Sequence, residues 1–283
     1  MFGAHNSVAG GLHLALVEAT RLGMDCVQIF TKNQRQWKVP PLDPSRVETW
    51  FAHRESTGIE SIVSHASYLI NPAAPAGATR EKSGGALRDE IERCETLHVP
   101  LLVLHPGSHV GDGEEVGLRR VIERIDEVHG ELPGFRTITC LENTAGQGSN
   151  LGHALEHLQR ILEGVREPER LAVCIDTAHA LAAGYNLTSG SGARRFLQEV
   201  EATVGIDRVL AMHLNDSKTP RGSRVDRHEE IGHGHVSLDA FRVIVRHRML
   251  RKIPKILETP KGKTPDGREW DAVNLETLRE LAG

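Results

Sequence analysis

RVLAMHLNDSKTPRGSRVDRHEEIGHGHVS, residues 208–237, is the stretch whose reading decides how this chain folds. It opens on the apolar run Val209-Leu210-Ala211-Met212, which reads as a buried strand, and turns at once to His213, Asn215, Asp216 and Lys218. A strand that ends this way enters a site. After a loop rich in Pro, Gly and Ser comes Asp226-Arg227-His228, where an extended backbone sets carboxylate and imidazole on one side, a spacing suited to a metal ion. Taken alone, the stretch fits equally well a His213 that caps a strand and an Asp226 and His228 that are solvated loop residues. The rest of the chain decides between them.

Outward from this stretch the same unit recurs: an apolar, often β-branched run, a polar residue at its end, then a segment with helical spacing. Toward the N-terminus the runs are Leu171–Ile175 ending at Asp176, Thr137–Leu141 ending at Glu142-Asn143, Leu101–Leu104 ending at His105, and Ile59–Ser64 ending at His65. Before them lie Cys26–Phe30, followed by TKNQRQW, and the short Phe2–Ala4, ending at His5 and Asn6. Toward the C-terminus Ile253–Leu257 ends at Glu258, and its Pro254 suits only a strand start. Helical spacing falls on Leu12, Leu16 and Ala19; on Val47, Trp50 and Phe51; over Ala86–Leu97 and Leu118–Val128; on Leu155, Leu158, Ile161 and Leu162; on Phe241, Ile244 and Val245; and over Asn274–Ala282. Eight such alternations within about 250 residues predict an α/β fold, a (β/α)8 TIM barrel with its active site at the C-terminal rim of the strands.

Length and composition agree. A chain of 283 residues suits one large barrel or two ordinary domains, and since no composition shift marks a boundary we expect a single domain over residues 1–283. The apolar fraction of 39% and charged fraction of 25% are those of a soluble globular protein, with no run able to span a bilayer, so no membrane partner is expected. MFGAHNSVAGG has no basic region followed by an apolar one; the expected compartment is the cytoplasm. Cys26, Cys94, Cys140 and Cys174 are far apart, which argues against a zinc knuckle or disulfide framework. A formal charge of −4 gives no global attraction to polyanions, so any nucleic-acid surface has to be a local basic face. Sixteen histidines are the one compositional oddity.

In a barrel, His65, His105, Glu142, Asp176, His213 and Glu258, each following the apolar run of one of strands three to eight, converge on one rim. His179 joins them one helical turn after Asp176, and Asp226 and His228 come from the long loop after strand seven. Five His, two Asp and two Glu without thiolate suit zinc, and also manganese or iron. At about three protein ligands per catalytic zinc, nine residues serve about three ions, with Glu142 able to bridge two of them. Positive charge near the rim comes from Lys32 and Arg35 after strand two and from Lys218, Arg221, Arg224 and Arg227 after strand seven.

HASYLINPA at His65, VLHPGSH at His105, LENTAGQG at Glu142, DTAHALAAGY at Asp176, HLNDSK at His213, GSRVDRHEEIG at Asp226 and ILETP at Glu258 occur in this order. On these motifs the chain resembles, over nearly its whole length, the endonuclease IV family of apurinic/apyrimidinic (AP) endonucleases. The resemblance implies a trinuclear zinc site that hydrolyses the DNA backbone 5′ to an abasic site through an activated hydroxide, leaving a 3′-hydroxyl and a 5′-deoxyribose phosphate. Removal of 3′ blocking groups is implied as well. By resemblance His65 and His105 hold one zinc and Glu142, the catalytic carboxylate, bridges it to a second; Asp176, His213 and Glu258 complete that second site; His179, Asp226 and His228 hold the third. The resemblance also implies that Arg35, Tyr68 and Leu69 enter the DNA at the lesion, and the expected partner is double-stranded DNA with abasic sites, bound by a monomer expected to be nucleoid-associated while it acts. His5 and His109 read as hydrogen-bonding neighbours. His233 stands where the family has an acidic residue and Ala178 where it often has cysteine. The rival is a sugar isomerase or epimerase on a related barrel, which would leave His179, Asp226 and His228 without a role. A non-catalytic DNA-binding relative would have lost ligands, and none is missing.

Overall fold

Period-two alternation in short apolar runs dictates strands with one face toward the helices and one toward a lumen, and the computed structural model, which describes residues 1–283, is built on that rule. Its strands are β1 (Phe2–His5), β2 (Cys26–Ile29), β3 (Ser61–His65), β4 (Leu101–Leu104), β5 (Ile138–Glu142), β6 (Leu171–Asp176), β7 (Val209–His213), β8 (Asp216–Ser217), β9 (His228–Glu229) and β10 (Lys255–Leu257). All but β8 and β9 run parallel and close a barrel in which β1 pairs with both β2 and β10. The helices are α1 (His13–Arg21), α2 (Pro44–Thr57), α3 (Ala78–Thr96), α4 (Glu114–Glu131), α5 (Leu155–Gly164), α6 (Thr177–Ala183), α7 (Gly190–Thr203), α8 (Leu238–Arg246) and α9 (Trp270–Ala282). None is long and apolar enough to cross a membrane.

The expected TIM barrel is therefore present, with some boundaries moved. α3 begins at Ala78 rather than Ala86, because Ser83 and Gly84 are buried on the face that Leu87, Ile91 and Cys94 continue. α7 went unread: its start, Ser189-Gly190-Ser191-Gly192, has loop composition, yet Ser189 is the N-cap, accepting from the Gly192 N–H at 3.1 Å. The last strand starts at Lys255; Pro254 before it contributes its carbonyl, which accepts from the Met212 N–H at 3.0 Å, and has no N–H to lose.

Two separate apolar layers follow from the alternation. A cluster of 61 buried residues fills the space between sheet and helices, while Val63, Val103, Cys140, Ala172, Cys174 and Ala211 form a small plug of their own in the lumen. Small side chains there leave the upper lumen for polar groups.

Outside the barrel β8 and β9 form an antiparallel ribbon, with Ser217 opposite His228. The Asp216 carboxylate braces it by accepting backbone N–H groups from Ser217 (2.7 Å), Gly232 (3.0 Å), Gly234 (2.9 Å) and Val236 (2.8 Å). Gly234 has no room for a side chain, since a Cβ would sit 2.3 Å from the Ser217 carbonyl oxygen and 2.5 Å from Asp216 Oδ1. Overpacking of this kind costs about 1–3 kcal/mol, so Gly234→Ala is expected to lower the urea unfolding free energy by that amount. Wild-type stability in the variant would show that the brace is slack.

Candidate metal centre

Each strand carries its rim residue two positions beyond a lumen residue, so both point the same way. Val63 leads to His65, Val103 to His105, Cys140 to Glu142, Cys174 to Asp176 and Ala211 to His213. The apolar plug is thus the floor and these five side chains the layer above it. Glu258 adds the contribution of β10, and His179 that of α6, whose N-cap is Asp176; the Asp176 Oδ1 accepts the His179 N–H at 2.8 Å. The braced ribbon brings in His228 and its neighbour Asp226.

These nine side chains meet. Glu142 is the hub: its Oε2 lies 3.1 Å from His65 Nε2 and 2.9 Å from His105 Nε2, while its Oε1 lies 2.8 Å from His213 Nδ1. Ligand atoms of Glu142, Asp176, His213 and Glu258 all fall within 4.8 Å of one another. The same spacing joins Glu142 with His65 and His213, Glu142 with His105 and His179, and Asp176 with His179 and His228. Asp226 reaches both members of the outer pair, its Oδ2 3.3 Å from His179 Nε2 and its Oδ1 3.4 Å from His228 Nε2. Three imidazoles have their orientation fixed by backbone carbonyls that accept from Nδ1–H: His65 by Ala66 (2.7 Å), His179 by Asn143 (2.9 Å) and His228 by Glu258 (3.1 Å). In each, Nε2 is the ring nitrogen that faces the carboxylates.

Electrostatics show what the cluster lacks. Glu142, Asp176 and His213 are wholly inaccessible to solvent. Burial pushes the Glu142 carboxyl up, but His213, His105 and His179 outweigh it and hold the group well below its ordinary value. Burial likewise pushes the His213 and His179 imidazoles down, and Cys174, Glu258 and Glu142 around the first and Asp176, Asp226 and Glu142 around the second override it and raise both. A pocket that draws protons onto buried imidazoles is a pocket short of positive charge. The buried Nε2 of His228 has no hydrogen-bond partner although it faces two carboxylates. Imidazole and carboxylate donors, a charge deficit and an orphaned lone pair together fit metal ions.

Sequence reasoning missed the amides that steady these ligands. Asn215 accepts the Glu258 N–H (2.7 Å) and donates to Asp176 Oδ2 (2.7 Å). Asn143 accepts the Asp176 N–H (2.7 Å). Their signal was position alone: each directly follows a ligand or stands two beyond one. Gln28, at the end of β2, is a third such amide.

The remaining expectations divide. Arg35 and Tyr68 are exposed, Tyr68 at 63%, and Leu69 is partly so, on the neighbouring loops after β2 and β3. Lys218, Arg221, Arg224 and Arg227 are exposed as expected. Lys32 is not part of that basic face: its side chain is 1% exposed and its Nζ pairs with Asp89 at 2.6 Å and Glu90 at 3.6 Å. His5 is a hydrogen-bonding neighbour of the cluster, its Nδ1 2.9 Å from Gln28, whereas the His109 side chain bonds within its own loop, its Nδ1 accepting the Gly111 and Gly113 N–H groups. Glu114, His153 and His157 also approach one another, but the Gly152 N–H on His157 Nδ1 (3.1 Å) puts the proton on Nε2, the atom that faces Glu114.

The chain has well-matched relatives among known proteins. The family model described as xylose isomerase-like TIM barrel matches residues 16–281. Probable endonuclease 4 of Geobacter sp. (strain M21) is 45% identical over 281 residues, covering 99% of this chain and 98% of that relative. Probable endonuclease 4 of Chloroflexus aurantiacus (strain ATCC 29366 / DSM 635 / J-10-fl) is 46% identical over 280 residues, covering 99% and 97%. Among solved structures, endonuclease IV from Thermus thermophilus superposes with a TM-score of 0.85 at 36% identity, covering 99% of this chain and 98% of that one. A D-tagatose 3-epimerase-like protein, at 20% identity and a TM-score of 0.75, shares the fold alone. A barrel with this rim, matched end to end by relatives so similar, belongs to the endonuclease IV family within the xylose isomerase-like TIM barrels.

Proposed function

We propose that this chain is a zinc-dependent AP endonuclease that hydrolyses the DNA phosphodiester 5′ to an abasic site, leaving a 3′-hydroxyl and a 5′-deoxyribose phosphate. His65, His105 and Glu142 would hold one ion; Glu142, Asp176, His213 and Glu258 a second; His179, Asp226 and His228 a third. One observation carries the reading: Asp226 meets His179 and His228 beside the Glu142 cluster, a third ligand set for which a one- or two-metal sugar isomerase has no use. When bound, clustered divalent ions supply water activated near neutral pH and a sink for charge on phosphoryl and leaving oxygens.

The chain's own residues would do the rest. Glu142 presents one oxygen to His65 and His105 and the other to His213, so a single buried carboxylate ties two ligand groups into one unit. Asp176 commits Oδ1 to the α6 N-terminus, and Oδ2, steadied by the Asn215 amide, faces the centre beside His228 at 3.6 Å. Tyr68 and Leu69, an exposed aromatic and a partly exposed aliphatic on one loop, would wedge into the base stack at the lesion beside Arg35, where a sugar without a base turns outward at little cost. Trimming of 3′ blocking groups uses the same bond chemistry at a strand end.

Three outcomes are expected. On a duplex with one tetrahydrofuran abasic analogue, zinc-loaded wild type cuts on the 5′ side and leaves a 3′-hydroxyl, chelated protein does not, and Glu142→Gln, which alters the shared carboxylate itself, loses more in kcat than the roughly 10–100-fold that removal of an outer hydrogen-bond partner costs. An intact duplex with zinc-loaded wild type sinks the endonuclease reading and moves the isomerase to first place. Removing both Tyr68 and Leu69 as alanines raises KM for the abasic duplex roughly 10-fold or more, as loss of about 1–3 kcal/mol of Tyr68 stacking requires, with zinc content unchanged; an unchanged KM removes the wedge. Because His179 and His213 hold protons above the ordinary imidazole range, an ion has to displace them. Zinc affinity in chelator competition should therefore fall as pH falls through the neutral range, and a flat profile contradicts that.

A further inference from the structure

Of the clustered imidazoles, His213 is turned the other way round from His65, His179 and His228. Its Nδ1 faces the carboxylates, 2.8 Å from Glu142 Oε1 and 3.2 Å from Glu258 Oε2, and its Nε2 lies 2.8 Å from Gln28 Oε1. Where the other three are oriented by backbone carbonyls, His213 is oriented by a side chain. Gln28 has no solvent exposure and occupies, on β2, the position two beyond Cys26, so it shares the layer of the ligands themselves.

The direction of the Gln28 amide is forced by its surroundings. Its nitrogen lies 2.6 Å from Glu258 Oε1; an amide oxygen there would confront a carboxylate oxygen with no proton between them. The amide oxygen therefore points at His213, and since it only accepts, His213 Nε2 keeps its proton, so that Nδ1, which faces Glu142, Glu258 and Asp176, is the nitrogen left to bind an ion. The second amide hydrogen goes to His5 Nδ1 at 2.9 Å, closer than the 3.5 Å from that atom to Glu258. One amide thus fixes the tautomer of His213 and, by holding Glu258 Oε1, leaves Glu258 Oε2 facing the same pole.

We propose that Gln28 is a positioning residue that makes His213 an Nδ1 metal ligand and aims Glu258 at the same ion. This rests on the reading of the rim as a metal centre.

The test uses zinc-loaded protein labelled with 15N-histidine. The expected spectrum has His213 protonated on Nε2 and zinc-shifted at Nδ1, with His65, His179 and His228 showing the opposite assignment. In parallel, Gln28→Leu, close in volume but without the amide, is expected to lose roughly 10–100-fold in affinity for one zinc in chelator competition, the range found when an outer hydrogen-bond partner is removed, while the other zinc ions stay bound. Coordination of His213 through Nε2, or wild-type affinity for every zinc in the variant, overturns the proposal. Should the variant fail to fold, the wild-type spectrum still decides. A wild type that takes up no zinc is a different failure: it removes the metal centre itself, and this inference with it.

Discussion

The rest of this structure depends on one constraint: three carboxylates, Glu142, Asp176 and Glu258, are held within 4.8 Å of one another at the top of a closed barrel, two of them with no access to water. An ionised carboxylate carried alone into such surroundings costs on the order of tens of kcal/mol by a Born estimate, so it must be paired, protonated or bound to a cation. Here the pairing is by imidazole, and those of His179 and His213 are pulled toward their charged forms by the carboxylates around them. That places the cost of the site in the folded protein rather than in the encounter with an ion.

Holding like charges this close requires a stiff frame, and the barrel provides it by repetition. Because successive positions two apart share a face, one layer of small residues in the lumen sets the height of the layer above, and His65, His105, Glu142, Asp176 and His213 rise from it together. Cross-links between strand ends then remove the remaining freedom: Asn143 ties β5 to β6, and Asn215 ties the β7 exit to both Asp176 and Glu258. His179 rises from α6, capped by Asp176 itself, whereas Asp226 and His228 come from the long loop after β7, the segment that has its own brace in Asp216. Side chains on strand ends inherit rigidity, and those on a loop have it built for them.

This division explains what could be read from the chain. The strand-end side chains were legible because an apolar run that stops at His, Glu or Asp is a local pattern, and so were the barrel and the convergence of all nine residues on its rim. Gln28 was not, because a neutral amide inside Cys26–Phe30 looks like part of a strand, and its importance lies in partners at His213 and Glu258, far away in sequence. Lys32 misled for the same reason. A lysine just past a strand end resembles a phosphate contact, and only the packing of α3 against that loop brings Asp89 and Glu90 to neutralise it. α7 escaped because a serine and glycine start hides a capped helix.

The burial of Lys32 has a structural counterpart on the side proposed to face DNA. Glu90, equally buried, accepts from Thr31 Oγ1 at 2.7 Å on the loop after β2 and from the Ser67 N–H at 3.4 Å on the loop after β3. Ser67 Oγ in turn donates to the Gln34 carbonyl at 2.7 Å. Arg35 follows Gln34, and Tyr68 and Leu69 follow Ser67, so the exposed residues of both loops stand directly on one charge-paired foundation. Wedge residues on independent loops would each lose conformational freedom on meeting a duplex, and that loss subtracts from affinity. Two loops joined beneath the surface have lost much of it in folding. The same economy governs both halves of the rim: buried polar groups fix in advance what a flexible site would have to order at the moment of binding.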